Sequence, residues 1–312
     1  MAKFNIESFK GVIPAVLTVF DQNENIDEVG MRQLVSYLVN QNVDGLYLTG
    51  STGEGFTMDN AERKRVVEIV IDEVAGRVPV VVHVGAIGTK LSIDLAKHAE
   101  AVGADGISSV PPFYWKFTEN QIVKYYEDIA GATSLPMIVY NVPLVGLLGM
   151  NAIKRLAQIE NVKGIKYTAL SLYEITQIKD EIGEDFLVYS GCDELALEGL
   201  MVGADGIIGS FYNIMPELFI KIYTAYKQND IVLANRYQHE AVQIIMYSLT
   251  YPSFYALMKT VLRWQGIEAG YCRAPFENLT PEVEAQYKEG FVALKVRYDL
   301  SDVAFLEVLT RD

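Results

Sequence analysis

Two rhythms alternate along the first three-quarters of this 312-residue chain. Short, nearly continuous apolar runs, the pattern of strands buried on both faces, predict strands at 11–18, 44–49, 78–85, 105–110, 136–142, 162–167, 185–190 and 205–209. Between them, apolar residues recur every three to four positions and predict helices near 28–41, 59–75, 89–102, 118–130, 150–158, 171–181, 193–202 and 215–228. Eight strand–helix pairs in strict alternation predict an α/β protein, a closed (β/α)8 barrel rather than an open doubly wound sheet. After residue 228 the strand pattern stops and helical periodicity runs on to about residue 297, which predicts about three helices. No low-complexity linker separates the two parts. The expected organisation is a barrel over 1–228 that carries the active site, with a helical region over 229–312 packed on it.

Three junctions look alike: Asn42-Val-Asp-Gly-Leu-Tyr-Leu48, Val102-Gly-Ala-Asp-Gly-Ile-Ser108 and Val202-Gly-Ala-Asp-Gly-Ile-Ile208. Each follows a helical pattern and opens an apolar run. A glycine after a helix ends it in the left-handed conformation, so the recurrence points to one supersecondary unit used repeatedly.

Composition narrows the function. A formal net charge of −14 and a pI near 4.7 disfavour nucleic acid and anionic membrane surfaces as partners. No run reaches the roughly 18 apolar residues of a membrane span, and Met1–Lys10 lacks the apolar stretch of a signal peptide. Two cysteines, Cys192 and Cys272, offer no disulfide framework. The expectation is a soluble, cytoplasmic protein. His83, His98 and His239 lack metal-ligand spacing, and no dinucleotide or Walker fingerprint is present, so neither a metal nor an organic cofactor is expected.

In a (β/α)8 barrel the chemistry sits at the carboxyl ends of the strands. That position selects Gly50-Ser51-Thr52-Gly53-Glu54, Pro112-Phe-Tyr114, Tyr140, Lys166-Tyr-Thr168, Gly191-Cys-Asp193-Glu194 and Gly209-Ser210. A lysine and a tyrosine at neighbouring strand ends suit chemistry on a ketone, because the amine can form a Schiff base and the phenol can move protons. A strand-end lysine more often simply reaches water. A free phenol ionises only near pH 10, so it needs help from neighbours such as the Ser51 and Tyr114 hydroxyls. Ser51 and Thr52, flanked by glycines, can present hydroxyls and backbone N–H groups to a small anion, although an ordinary turn reads the same way. Asp193-Glu194 fits a helix start on dipole grounds.

Taken in order, these motifs resemble the N-acetylneuraminate lyase and dihydrodipicolinate synthase family, class I aldolases that bind pyruvate through a lysine Schiff base. The similarity runs from Gly11 to at least Arg273-Ala-Pro-Phe276. It rests on GSTGE at 50–54, PFY at 112–114, YNVP at 140–143, GIKYT at 164–168 and GADGIIGSFYNIM at 203–215. The resemblance implies that Lys166 forms the Schiff base, that Tyr140 transfers protons and that Ser51 and Thr52 hold the substrate carboxylate. It further implies a homotetramer in which Tyr114 serves a neighbouring subunit's site, completing a relay through Ser51 to Tyr140.

Within the family, the synthases carry an arginine two residues after the YNVP proline. Here that position is Val145, which has neither the charge nor the bidentate fork. The lyases instead carry a Gly-x-Asp-Glu signature, matched by Gly191-Cys192-Asp193-Glu194, and a serine matched by Ser210. With Thr168, these groups would bond the hydroxylated tail of sialic acid, which reverses the capping preference for Asp193-Glu194. Where the lyases have a small hydroxyl residue and then glycine, this chain has Gly146 and Leu147. The implied reaction is reversible cleavage of N-acetylneuraminate to pyruvate and N-acetylmannosamine. The alternatives are an aldolase for another 2-keto-3-deoxy sugar acid, then dihydrodipicolinate synthase, and, outside enzymes, a silent barrel that senses a sugar acid.

Overall fold

A computed structural model describes residues 4–311. Met1–Lys3 and Asp312, the ends of the segments read above for targeting and for the tail, lie outside the described residues. Eight parallel strands follow the predicted order: β1 Gly11–Pro14, β2 Leu46–Leu48, β3 Val80–His83, β4 Gly106–Ser109, β5 Met137–Asn141, β6 Val162–Tyr167, β7 Leu187–Ser190 and β8 Gly206–Gly209. From β2 to β8 each strand pairs with its sequence neighbour, and β1 pairs with β8. The ring is closed between β1 and β2 by a single bridge, Ala15 to Tyr47, where the Val16 amide donates to the Tyr47 carbonyl at 2.8 Å. The strands are shorter than their apolar runs. β1 ends at Pro14, which has no N–H to offer the ladder.

The helices α1 Glu28–Asn40, α2 Asn60–Val74, α3 Thr89–Val102, α4 Glu119–Ala130, α5 Met150–Ala157, α6 Tyr173–Ile182, α7 Ala196–Met201 and α8 Pro216–Lys227 form the outer layer. Side chains alternate along each strand. One set, including Ile13, Tyr47, Val81, Ile138, Tyr140, Tyr189 and Ile208, packs inside the barrel, while Val12, Leu46, Val82, Val139 and Ile207 join the larger core under the helices.

The three look-alike junctions have a common mechanism that goes beyond the glycine. In each, an aspartate clamps the preceding strand. Asp44, Asp105 and Asp205 donate their N–H to the carbonyls of Val12, Val80 and Val188 at 2.9, 3.0 and 2.7 Å. Their carboxylates accept from the amides of those same residues at 2.8, 3.0 and 2.9 Å. The left-handed position is taken by Gly103 and Gly203, and in the first copy by Asn42 (φ 64°), the residue after glycine that best tolerates it.

The tail holds α9 Ile231–Ser248, α10 Phe254–Trp264, α11 Pro281–Tyr298 and a fourth helix, α12 Ala304–Leu309, where about three were expected. The six residues of α12 are too few for a periodic signal. They are held by the buried Phe305 and Leu306 and by the Ala304 amide on Glu217, 2.8 Å. Among the described residues, no helix is long and apolar enough to cross a membrane.

Candidate active site

The carboxyl ends of the strands open into a cavity of about 360 Å3 lined by Ser51, Thr52, Tyr140, Lys166, Thr168, Gly191, Glu194 and Ser210, with Val142, Leu144, Cys192 and Tyr255. Eight of the ten predicted site residues therefore meet on one wall system. Strand alternation explains why: Tyr140 and Lys166 are direct register partners on β5 and β6, both turned inward.

Lys166 is 4% exposed. Its Nζ lies 4.5 Å from the centre of the Tyr140 ring and 4.9 Å from that of Tyr47. Among the described residues it has no carboxylate in ion-pair reach. The contrast with the other buried lysines is plain, since Lys179 sits 2.5 Å from Asp205 and Lys259 sits 2.6 Å from Glu54. Gly191 makes room for the amine, because a Cβ there would stand 1.9 Å from Thr168 Oγ1 and 3.1 Å from Lys166 Cε. Thr168 Oγ1 itself is buried and has no hydrogen-bond partner among the described residues.

The Ser51-Thr52 turn folds back through the Glu54 amide on the Ser51 carbonyl and the Gly55 amide on the Gly50 carbonyl, 3.1 and 3.0 Å. Thr52 Oγ1 meets Ser210 Oγ at 2.7 Å, joining the ends of β2 and β8. Glu54, grouped by sequence with the strand-end carboxylates, points away from the chemistry. It is buried against Lys259 of α10 and also accepts from the Arg273 amide at 2.9 Å.

Asp193 and Tyr114 are the two predicted site residues that do not line the cavity. The Asp193 carboxylate accepts from the Phe211 amide at 2.8 Å, fixing the loop that carries Ser210. Burial pushes its carboxyl up to about 7. The short 3-10 turn Asp193–Leu195 has no side-chain cap, so the pair does not serve as helix caps. Tyr114 is 82% exposed, in edge contact with Trp115 (ring centres 4.9 Å apart), and its φ is 80°. A tyrosine at positive φ is strained.

Beside the catalytic cavity lies a second one of about 330 Å3, lined by Ser51, Phe56, Phe113, Val142, Leu144, Val145 and Tyr255. Neither cavity has an arginine in its wall. Sequence reasoning did not single out Tyr47, Arg63, Tyr255 or Lys259, and weighed His83 only as a metal ligand. For Tyr47 a signal existed: in Leu46-Tyr-Leu48, alternation puts the phenol opposite two outward leucines. Among the described residues, no group of three or more His, Cys, Asp or Glu is placed to hold a metal ion.

A (β/α)8 barrel that buries an unpaired amine beside a tyrosine at its carboxyl-terminal face defines a class of protein built for carbonyl chemistry at a lysine. Comparison places this chain more closely. Residues 8–293 match the model of the dihydrodipicolinate synthetase family, and the chain belongs to that family. It is 37% identical to an N-acetylneuraminate lyase of Clostridium perfringens over 285 residues, 90% of this chain and 98% of that one. It is 41% identical over 272 residues to N-acetylneuraminate lyase 2 of Escherichia coli O6:H1, covering 86% and 88% of the two chains. Its fold matches that of a Ruminococcus gnavus sialic acid aldolase, solved as a catalytic lysine mutant, with a TM-score of 0.91 and 30% identity over 96% of this chain and 99% of that one.

Proposed function

We propose that this protein is a Schiff-base aldolase that reversibly cleaves N-acetylneuraminate into pyruvate and N-acetylmannosamine. The observation that carries the reading is Lys166, buried at the catalytic face against two tyrosine rings with no carboxylate to neutralise it. Agreement with lyases over about nine-tenths of the chain supports the substrate. So does the absence of arginine at Val145, where the alternative synthase reaction would need a carboxylate clamp.

The Lys166 amine adds to the C2 ketone of the open-chain sugar acid, and the Tyr140 phenol gives its proton to the departing hydroxyl, so that water leaves and an iminium and a phenolate remain. As the phenolate so formed, Tyr140 accepts the C4 hydroxyl proton while the C3–C4 bond breaks. The bonding pair moves into the iminium to give an enamine, and C4 leaves as the aldehyde of N-acetylmannosamine. Protonation of the enamine at C3 and hydrolysis of the resulting iminium release pyruvate and restore the amine. Ser51 and Thr52 bind the carboxylate. In support, neither of their N–H groups donates to another protein group among the described residues.

Thr168, Glu194 and Ser210 bond the sugar hydroxyls, and Asp193 acts on selectivity by holding the Ser210–Phe211 backbone. Tyr114 works in a second copy of the chain within a homotetramer, reaching the Ser51 end of the apolar second cavity and completing a proton path to Tyr140. Its exposure and strained backbone support that reading.

Borohydride reduction in the presence of pyruvate is expected to add one pyruvate-derived group to Lys166, and N-acetylneuraminate is expected to release pyruvate fastest among a panel of 2-keto acids. A folded protein with no adduct on Lys166 removes the aldolase reading; strong turnover of a shorter 2-keto-3-deoxy acid with none of sialic acid moves the substrate.

A further inference from the structure

Behind the catalytic lysine the barrel buries a second cation that the chemistry above does not use. Arg63, on the first turns of α2, is 3% exposed. Among the described residues it pairs with no carboxylate. Its guanidinium donates to the carbonyls of Gly85 and His83 at 2.9 and 2.6 Å, and its Nε has no partner. Arg273, the other buried arginine, holds Glu62 at 2.7 Å. A guanidinium held by carbonyls, with the Phe56 ring 5.9 Å away, has no anion to offset its charge; burial lowers it to about 10, which still leaves it charged near neutral pH, and such a charge is costly inside a protein unless it is used.

The His83 ring stands between Arg63 and the site. Its Nδ1 is 3.5 Å from the guanidinium, its Nε2 accepts from the Val110 amide at 3.1 Å, and its ring meets Tyr140 edge-on with centres 6.1 Å apart. Burial, then the charges of Arg63 and Lys166, hold His83 well below the usual imidazole range, so the ring stays neutral beside the guanidinium.

We propose that Arg63 is a positioning residue for the Schiff-base step, acting through its charge: the guanidinium behind His83, paired with no carboxylate among the described residues, opposes charging of the Lys166 amine. The inference rests on the aldolase reading of Lys166. The other titratable groups facing the amine come from β2, β5, α10 and the loop after β7. Tyr47 from β2 stays a phenol because burial holds it well above the usual range, and Cys192 after β7 stays a thiol, pushed up to about 12 by burial. Asp193, at about 7, is a partial counter-charge near neutral pH. Tyr140 from β5, Tyr255 from α10 and Glu194 share the cavity wall, and Glu54 is already neutralised by Lys259.

The test is the pH dependence of kcat/KM for pyruvate release in wild type, Arg63→Lys, Arg63→Met and Arg63→Gln, the last keeping donors for the Gly85 and His83 carbonyls. With Arg63 uncharged, the ascending limb is expected to move up by about one pH unit, about tenfold in rate on its acid side, while rates converge on the alkaline side. Arg63→Lys is expected to keep the wild-type limb. A neutral variant that folds, as judged by circular dichroism and by pyruvate trapping at alkaline pH, yet keeps the wild-type limb overturns the proposal. So does an Arg63→Lys limb displaced as far as that of Arg63→Gln. Failure of the aldolase reading itself looks different, because wild-type Lys166 would then not be trapped at all.

Discussion

Two buried lysines divide this molecule into a region built for stability and a region built for reaction. Lys259 is fully buried with every demand met: its ammonium donates to the Glu54 carboxylate and to the Tyr271 carbonyl, each at 2.6 Å. Glu54 completes the set by accepting from the Arg273 amide. Lys166 is nearly as buried, lies against two aromatic faces, and has no carboxylate in ion-pair reach among the described residues. Burial alone therefore does not make an amine reactive. An anion at contact distance favours the charged form, whereas apolar surroundings and like charges favour the neutral nucleophile. Lys259 ties the tail to the turn that carries Ser51, while Lys166 is left unsatisfied for a substrate to satisfy.

The sharpest way to break this comparison is to remove each amine with little change in volume. Lys166→Met is expected to lower pyruvate release from N-acetylneuraminate by about 10^4-fold or more, since the covalent path is gone. Its melting temperature is expected to hold or rise, because no anion loses a partner. Lys259→Met is expected to do the opposite. It strands the Glu54 carboxylate in the interior and costs about 3–5 kcal/mol by chemical denaturation, while any folded fraction still traps pyruvate on Lys166. Restoring neutrality with Glu54→Gln in the same chain is expected to recover much of that loss. Equal stability losses at both lysines would erase the distinction.

How much of this was legible in the sequence follows from the range of each interaction. Barrel order, strand positions and the inward pair Tyr140–Lys166 depend on local periodicity and on register between adjacent strands, and these can be read residue by residue. The repeated aspartates were visible as a pattern, but their role as clamps was not, because each acts on a strand far away in sequence. The Glu54–Lys259 pair is separated by 205 residues, and no spacing rule connects them. The sequence groups Asp193 with the strand-end residues, yet its carboxylate faces the Phe211 amide rather than the cavity, an orientation set by the packing of two loops.

Asp193 sharpens the comparison at an intermediate level, as a buried acid that shares neither lysine's solution. Its carboxyl, raised by burial to about 7, lies above its unfolded value of about 3.9. The folded state thus holds the proton more tightly. That contribution is fully present below about pH 4 and is lost as pH rises through about 7. Asp193→Asn removes the titration and keeps an acceptor for the Phe211 amide. Melting curves across this range are expected to show wild type losing up to a few kcal/mol relative to the variant. A constant difference between the two proteins across the range would show that Asp193 is already ionised in the fold.

The smallest expected effect separates the two regions by a single atom. Around Lys259 the ammonium and both Glu54 oxygens have partners, whereas Thr168 Oγ1 is buried beside the catalytic cavity with none. An unsatisfied hydroxyl in a folded protein costs stability unless something else uses it. Thr168→Val has nearly the same shape and removes only that polar group. Its stability is expected to match or exceed wild type by about 1 kcal/mol. Its kcat/KM for N-acetylneuraminate is expected to fall about five- to tenfold, the worth of one substrate hydrogen bond. Trapping of pyruvate, which lacks the hydroxylated tail, is expected to stay unchanged. If Thr168→Val loses trapping and turnover alike, the hydroxyl serves the lysine rather than the sugar, and the boundary between nucleophile and specificity wall must be redrawn through β6.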